Sequence, residues 1–390
     1  MDRSGMMRIN GSIQPRTTYS AAIEFGLRTG ETVILAPEEG SAPGRLLALV
    51  ESALTTGGGD RRTVSGIVQI LAAISGESAL APVTSVPPFF ADVEAITMDV
   101  GRMYYGGVDA TTDPVTKLRV QPAALIVGDL LTDSRIPVVV NACGFNRHTA
   151  LLAQSGAGKS YALGVVLEEL LERTSARIVV IDANGDFAHV GELPSAIGVL
   201  LAEGRDPKRY RSCTRRLAHR SVRGAVFNLN TLDPALWDGI VNDVLALLWE
   251  RRDEQRPTII IVDEAHNFVP ADPVPDAVSR ALGRIAAEGR KYGLWLILAS
   301  QRPQKVHSNV ISQCDNLILM RLTSQIDIDH IASAFGAVDR TMMQLATGFR
   351  SGSAMIVGRI VRSPTLMRFR ARRLPEAGGD IALGWGSIPL

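Results

Sequence analysis

Gln154-Ser155-Gly156-Ala157-Gly158-Lys159-Ser160 lies between an apolar run, Thr149-Ala150-Leu151-Leu152, and a stretch of helical apolar spacing that begins at Tyr161. Residue types in this order suit the binding of a nucleoside triphosphate. A phosphate cradle needs backbone N–H groups turned toward one point, and Gly156 and Gly158 let the chain approach without a Cβ in the way. Lys159 would then reach the β- and γ-phosphates and Ser160 would hold Mg2+, while a helix from Lys159 to about Glu172 aims its positive end at the same anion. The expected ATP-binding residues are Ser155, Gly156, Ala157, Gly158, Lys159, Ser160 and Tyr161. The usual pattern starts with a glycine where this chain has Ala153.

Thr258-Ile-Ile-Ile-Val-Asp263-Glu264-Ala-His266 sets two adjacent carboxylates at the end of an apolar strand, roughly a hundred residues after the lysine. In open α/β sheets that edge is where ligands bind. Asp263 is suited to hold Mg2+ and Glu264 to polarise the water that attacks the γ-phosphate. His266 is expected to pack or hydrogen-bond, with no catalytic role. Asp182-Ala-Asn-Gly185-Asp186-Phe187 follows another strand. There Asp182 and Asp186 either reach the metal and order the water or cap a glycine turn.

Leu296-Ile-Leu-Ala-Ser300-Gln301-Arg302-Pro303 brings polar groups to the same edge, with Gln301 placed to sense the γ-phosphate and Arg302 as a further candidate. In Glu288-Gly-Arg290-Lys291, Arg290 is too far in sequence from the strand tips for its own phosphate. It reads as an arginine finger supplied to a neighbouring subunit, or as a solvated surface residue.

These residues need a sheet to position them. Apolar runs at 149–153, 177–182, 225–228, 258–263, 294–300 and 317–322, alternating with helices at 159–172, 234–252, 275–292 and 326–335, give an α/β fold with a mainly parallel sheet. Strand-like alternation returns between Gly352 and Arg373. Upstream, from Ile23 to Val140, short apolar runs broken by Gly, Pro, Thr and Asp predict a small β-rich, barrel-like domain. One helix is expected there, around Gly44 to Leu54. The resulting division is an N-terminal domain at 1–140, an ATPase domain at 141–374 with a short insertion near 188–224, and a C-terminal tail at 375–390.

At 390 residues and 46% hydrophobic content, the chain can fill two or three globular cores. A net charge of +1 does not by itself point to nucleic acid. A local exception is Arg205 to Arg223, where Arg209, Arg211, Arg215 and Arg216 are candidate DNA contacts lining a pore; a solvated loop or a face for an acidic partner fits as well. Cys143, Cys213 and Cys314 lack any C-x-x-C spacing, which argues against zinc and disulfides and suits a reducing cytoplasm. No apolar run of about 18 residues appears, so no membrane partner is expected.

Together the motifs resemble the HerA family, within the HerA/FtsK group of hexameric DNA-pumping ATPases. The residues that carry the resemblance are Arg147-His148, Ser155 to Ser160, Asp182-x-x-Gly185-Asp186-Phe187, Asp263-Glu-Ala-His-Asn-Phe268, Glu288-Gly-Arg-Lys-Tyr-Gly293, Ser300-Gln-Arg-Pro303, Ser312-Gln-Cys-Asp-Asn316 and Arg321-Leu-Thr323. The resemblance implies a RecA-like P-loop core, a small N-terminal β-barrel, a homohexameric ring and ATP-driven movement on double-stranded DNA. It also implies a nuclease or other effector docked on the barrel side, in end processing or anti-phage defence. Related cores drive conjugation and secretion pumps, and an ATPase scaffold that gates an effector is a third reading. The stretch between Phe187 and Thr258 is shorter than the helical insertion usual in the family.

Overall fold

The computed structural model describes residues 6–11, 18–23, 28–37, 44–56, 63–76, 79–83, 89–271, 276–336 and 338–375. The chain divides into two compact units, Met1–Gly144 with Asp315–Arg370, and Phe145–Cys314 with Ala371–Leu390.

The second unit carries the phosphate loop. Its elements run β1 (His148–Leu152), α1 (Lys159–Arg173), β2 (Arg177–Asp182), β3 (Val199–Ala202), α2 (Pro207–Leu217), β4 (Gly224–Asn228), α3 (Trp237–Glu250), β5 (Thr258–Val262), α4 (Ala277–Glu288) and β6 (Leu294–Ser300). The strand order is β1-β6-β5-β2-β4-β3, and every neighbouring pair is parallel. Strands β1, β2, β4 and β5 are buried along their whole length, which is why they read as unbroken apolar runs. Parallel strands end at one edge, so the tips of β1, β6, β5 and β2 lie side by side there. Within the ladder, His148 acts as a strut: its buried Nδ1 accepts the Leu296 N–H at 2.9 Å, tying β1 to β6.

The basic run 205–223, expected as part of a short insertion, contains α2. Asp206 caps it by accepting from Lys208 N at 2.9 Å, and Pro207 occupies the first turn, where no N–H is needed. Tyr210, Cys213, Thr214 and Leu217 form its buried stripe, leaving Arg209, Arg211, Arg215 and Arg216 exposed.

After the strand Thr365–Phe369, Arg372 to Leu374 strap onto α1. Glu168, fully buried in α1, accepts from the backbone N–H groups of Arg373 and Leu374 at 2.7 and 2.8 Å. The Arg373 guanidinium reaches Glu168, Glu169 and Glu172 at 3.2, 3.1 and 2.6 Å. Residues 376–390, nearly all of the expected tail, lie outside the described residues.

In the first unit the N-terminal strands form an antiparallel sheet in the order Thr18–Ile23, Met6–Gly11, Phe89–Ala95, Thr32–Pro37, Leu46–Thr56, Thr63–Ser75, Ala79–Ala81, and Thr18–Ile23 also pairs with Thr63–Ser75. The helix expected at Gly44–Leu54 is instead the strand Leu46–Thr56. Consecutive residues Leu46 to Val50 are all buried, so the run lost the alternation that marks a one-sided strand and took on the look of a buried helix. A second antiparallel set runs Pro137–Asn141, Ala124–Leu130, Thr365–Phe369, Ser353–Val357, Cys314–Met320. Among the described residues no helix is long and apolar enough to cross a membrane.

Glu168→Gln tests the strap. The amide keeps one acceptor but turns an N–H2 toward donors, so stability should fall by about 2–3 kcal/mol, read as a lower urea midpoint. An unchanged midpoint would show that the strap contributes nothing.

Candidate active site

The phosphate loop leaves β1 at Ala153, which is fully buried and donates its N–H to Ser300 O at 3.2 Å. Ala153 is not among the positive-φ residues, so a methyl group is compatible with its backbone. Gly156 and Gly158 are left-handed, at φ 72° and 93°, where a Cβ would be strained. Gly158 caps α1 without a side-chain bond. The first-turn N–H groups of Lys159, Ser160 and Tyr161 therefore have no helical acceptor, the arrangement that anions occupy.

Lys159 is 4% exposed. Its Nζ pairs with Asp263 Oδ1 and lies 3.2 Å from Glu264 Oε1. Burial lowers the lysine's pKa, but the two carboxylates outweigh it and hold the group above its ordinary value. Asp263 is fixed by its place directly after β5, with its N–H donated to Ile181 O at 2.9 Å. Glu264 then enters the left-handed region, φ 48° and ψ 50°. That conformation costs a non-glycine residue about 1–2 kcal/mol and begins the Ala265–Asn267 turn, whose Asn267 N–H returns to Glu264 O at 2.8 Å.

Neighbouring strand tips complete the cluster. Gln301 Nε2 donates to Glu264 Oε1 at 2.7 Å, and Asn184 Nδ2 stands 3.5 Å from both Asp263 Oδ2 and Glu264 Oε1. His266 Nδ1 meets Ser300 Oγ at 3.2 Å and Glu264 Oε2 at 3.3 Å; burial holds this imidazole below its usual range against the pull of Glu264. Glu264 Oε2 is buried and makes no hydrogen bond, although the His266 ring nitrogen stands 3.3 Å away. Ser160 and Asp263 offer the hard oxygen donors that Mg2+ takes alongside phosphate oxygens.

Asp182 serves the turn. Fully buried, it accepts from Gly185 N at 2.8 Å, Asp186 N at 3.1 Å and Phe187 N at 2.9 Å. Burial, working against those bonds and helped by Asp263 and Asp186, pushes its carboxyl up to about 6. Asp186 is half-buried, and its carbonyl accepts from Arg372 at 2.8 Å. Arg372 also lies over the Phe187 ring at 5.3 Å and bonds its own N–H to the Tyr161 hydroxyl at 2.7 Å. The strap thus joins the loop helix to the Asp182 turn.

Two candidates stay apart from the cluster. Arg302 is exposed and contributes its N–H to Ser300 Oγ at 3.0 Å. Arg290 is exposed in the Gly289–Tyr292 turn, before β6 begins. The 7 residues of β6 separate it from Gln301 by roughly 20 Å. Sequence reading missed Asn184, inside the quoted Asp-Ala-Asn-Gly turn, and Arg372. The paired cations of Arg372-Arg373, just after the last strand-like run, were the available signal for the strap.

Residues 125–271 match the family model described as the helicase HerA central domain. Over that stretch the chain is similar to the HerA family. Over 112 residues it is 38% identical to a DNA double-strand break repair helicase HerA of Pyrococcus furiosus, covering 29% of this chain and 20% of that protein. Over 164 residues it is 30% identical to the protein of the same description from Sulfurisphaera tokodaii, covering 40% and 33%. The HerA match therefore spans a fifth to a third of those relatives. Among solved structures, VirB4 of Thermoanaerobacter pseudethanolicus aligns with a TM-score of 0.47 at 13% identity, over 64% of this chain and 97% of that one.

Asp182→Ala should lower stability by about 2–4 kcal/mol, because buried N–H groups lose their acceptor. A pH signature accompanies it. With the folded value near 6 and the unfolded value about 3.9, the folded chain holds the extra proton between pH 4 and 6. The group's contribution then falls as pH rises through that window. Thermal unfolding from pH 4 to 7 should show this slope in the parent and a flatter one in Asp182→Ala.

Proposed function

We propose that the chain is an ATP-hydrolysing motor that moves double-stranded DNA as a homohexamer. The observation that carries this reading is the convergence of Lys159, Asp263, Glu264 and Gln301 at one sheet edge, beside a left-handed glycine loop. DNA as substrate is supported by the names of the HerA relatives and by the exposed arginines of α2, with Arg209, Arg211, Arg215 and Arg216 as phosphate contacts. We assign hydrolysis to residues 141–374 and read the ring of N-terminal strand pairings as a small barrel that docks a nuclease or other effector. End processing or anti-phage defence in the cytoplasm is the setting we propose.

Four groups divide the chemistry. Backbone N–H groups from Ser155 to Tyr161 bind the β- and γ-phosphates, and Lys159 leaves the carboxylates to join them. Ser160 and Asp263 would hold Mg2+, which would neutralise phosphate charge when bound. Glu264 accepts a proton from the attacking water, and Gln301 orients that carboxylate by its bond to Oε1. Arg290 of one subunit serves the phosphates bound by the next.

Glu264→Gln should keep ATP binding and lose hydrolysis by about 10²–10⁴-fold, whereas Lys159→Ala should fail to bind. Retention of full turnover by Glu264→Gln would remove it from the base role. For Arg290, the measurement is subunit mixing: Arg290→Ala rings should be inactive and regain partial ATPase when mixed with Lys159→Ala subunits. Absence of recovery in demonstrably mixed rings would refute action in trans. The motor itself is tested by ATPase rate with and without linear duplex DNA, alongside mass in solution. A ring without stimulation would favour an effector-gating scaffold.

A further inference from the structure

At the N-terminal edge of the same sheet, opposite the phosphate loop, arginines close on a small cavity. Arg177 opens β2, Arg251 and Arg252 follow α3, and Arg256 precedes β5. With Thr258 and Tyr292 they line a space of about 10 Å³, room for one water-sized group. Three of the four have partners. Arg251 donates to Glu254 at 2.7 Å. Arg252 lies 5.0 Å over Trp249 and 5.3 Å over Tyr292 while donating to Trp249 O at 2.9 Å. Arg256 donates to Val222 O at 2.7 Å and His219 O at 3.4 Å.

Arg177 differs. It is 3% exposed, its Nε is enclosed without a partner, and its guanidinium forms no ion pair among the described residues. Burial, then the charge of Arg256, pushes it down to about 10, with Glu254 opposing and Arg251 adding. A buried, unpaired cation is costly, and the nearby carboxylate of Glu254 is committed to Arg251.

We propose that this cavity is an oxyanion site that takes one oxygen of a phosphate group, with Arg177 as the buried donor and Arg251, Arg252 and Arg256 at its mouth. Phosphate is the class because guanidinium forks match its oxygens and several cations can share its charge. The group arrives either as free phosphate or as a backbone phosphate of nucleic acid. The site does not depend on the hydrolysis reading, since the whole of β2 lies between Arg177 and the Asp182 turn.

Phosphate also suits the loop at Lys159, so the test uses Lys159→Ala as its background. Thermal unfolding of Lys159→Ala in rising inorganic phosphate, against sodium chloride at matched ionic strength, should rise by about 3 °C at tenfold excess over Kd. Adding Arg177→Met should abolish the increment, whatever it does to the starting Tm. Arg251→Met, an exposed mouth residue that leaves the core intact, should weaken phosphate severalfold. Equal increments in all variants, or chloride acting as well as phosphate, would overturn the site. Duplex DNA affinity against salt separates the sources. A salt slope lowered by about one in Arg251→Met identifies a backbone phosphate, and unchanged DNA binding identifies the free ion.

Discussion

A lysine ammonium buried between two carboxylates is the constraint on which the candidate site of this protein depends. Lys159, Asp263 and Glu264 come from a loop and a strand tip more than a hundred residues apart, and each is less than a tenth exposed. Charges so placed are tolerated only when paired and further hydrogen-bonded. The supporting donors come from Gln301 after β6 and Asn184 after β2. Three neighbouring strand tips must therefore register together, which a parallel sheet does and an antiparallel one would not. With both carboxylates ionised the trio carries one negative charge in excess, and it would carry two if Lys159 turned to a phosphate as proposed. A divalent cation would then restore that balance.

Glu264 shows where strain is accepted for geometry. Its left-handed backbone turns the chain sharply after β5, and Glu264 shares Lys159 with Asp263 while also reaching Gln301 on the adjacent strand. A glycine there would relax the backbone and remove the carboxylate. Retaining a strained acid is the pattern expected where position matters more than stability.

The core of the second unit was legible because buried parallel strands are apolar throughout and end in polar residues. Arg177–Asp182 and Leu294–Ser300 were read to the residue. The glycines of the loop announced themselves by needing positive φ. What stayed hidden depends on contacts distant in sequence. Nothing local in Glu168 shows that the backbone of Arg373 and Leu374 returns to it, and helix α2 was masked by a run of cations whose buried stripe is only four residues. The strand at Leu46–Thr56 misled because tertiary burial of both faces erased its period. Asp182 was the instructive case: both readings of its turn were open, and three donated N–H bonds fix it as an organiser of that turn.

Acids and arginines are distributed unequally between the two edges of the parallel sheet. Asp182, Asp186, Asp263 and Glu264 gather at the strand ends, while Arg177, Arg251, Arg252, Arg256 and Arg290 lie at or beside the strand starts. Within one subunit the length of β6 keeps Arg290 from the acids. A closed ring is built from head-to-tail interfaces in which two different surfaces of the same chain meet. An interface that set the cationic edge of one copy against the acidic, phosphate-binding edge of the next would be electrostatically complementary without further design. Such an interface would give a role to Arg290, which is exposed in the Gly289–Tyr292 turn and held away from its own subunit's acids.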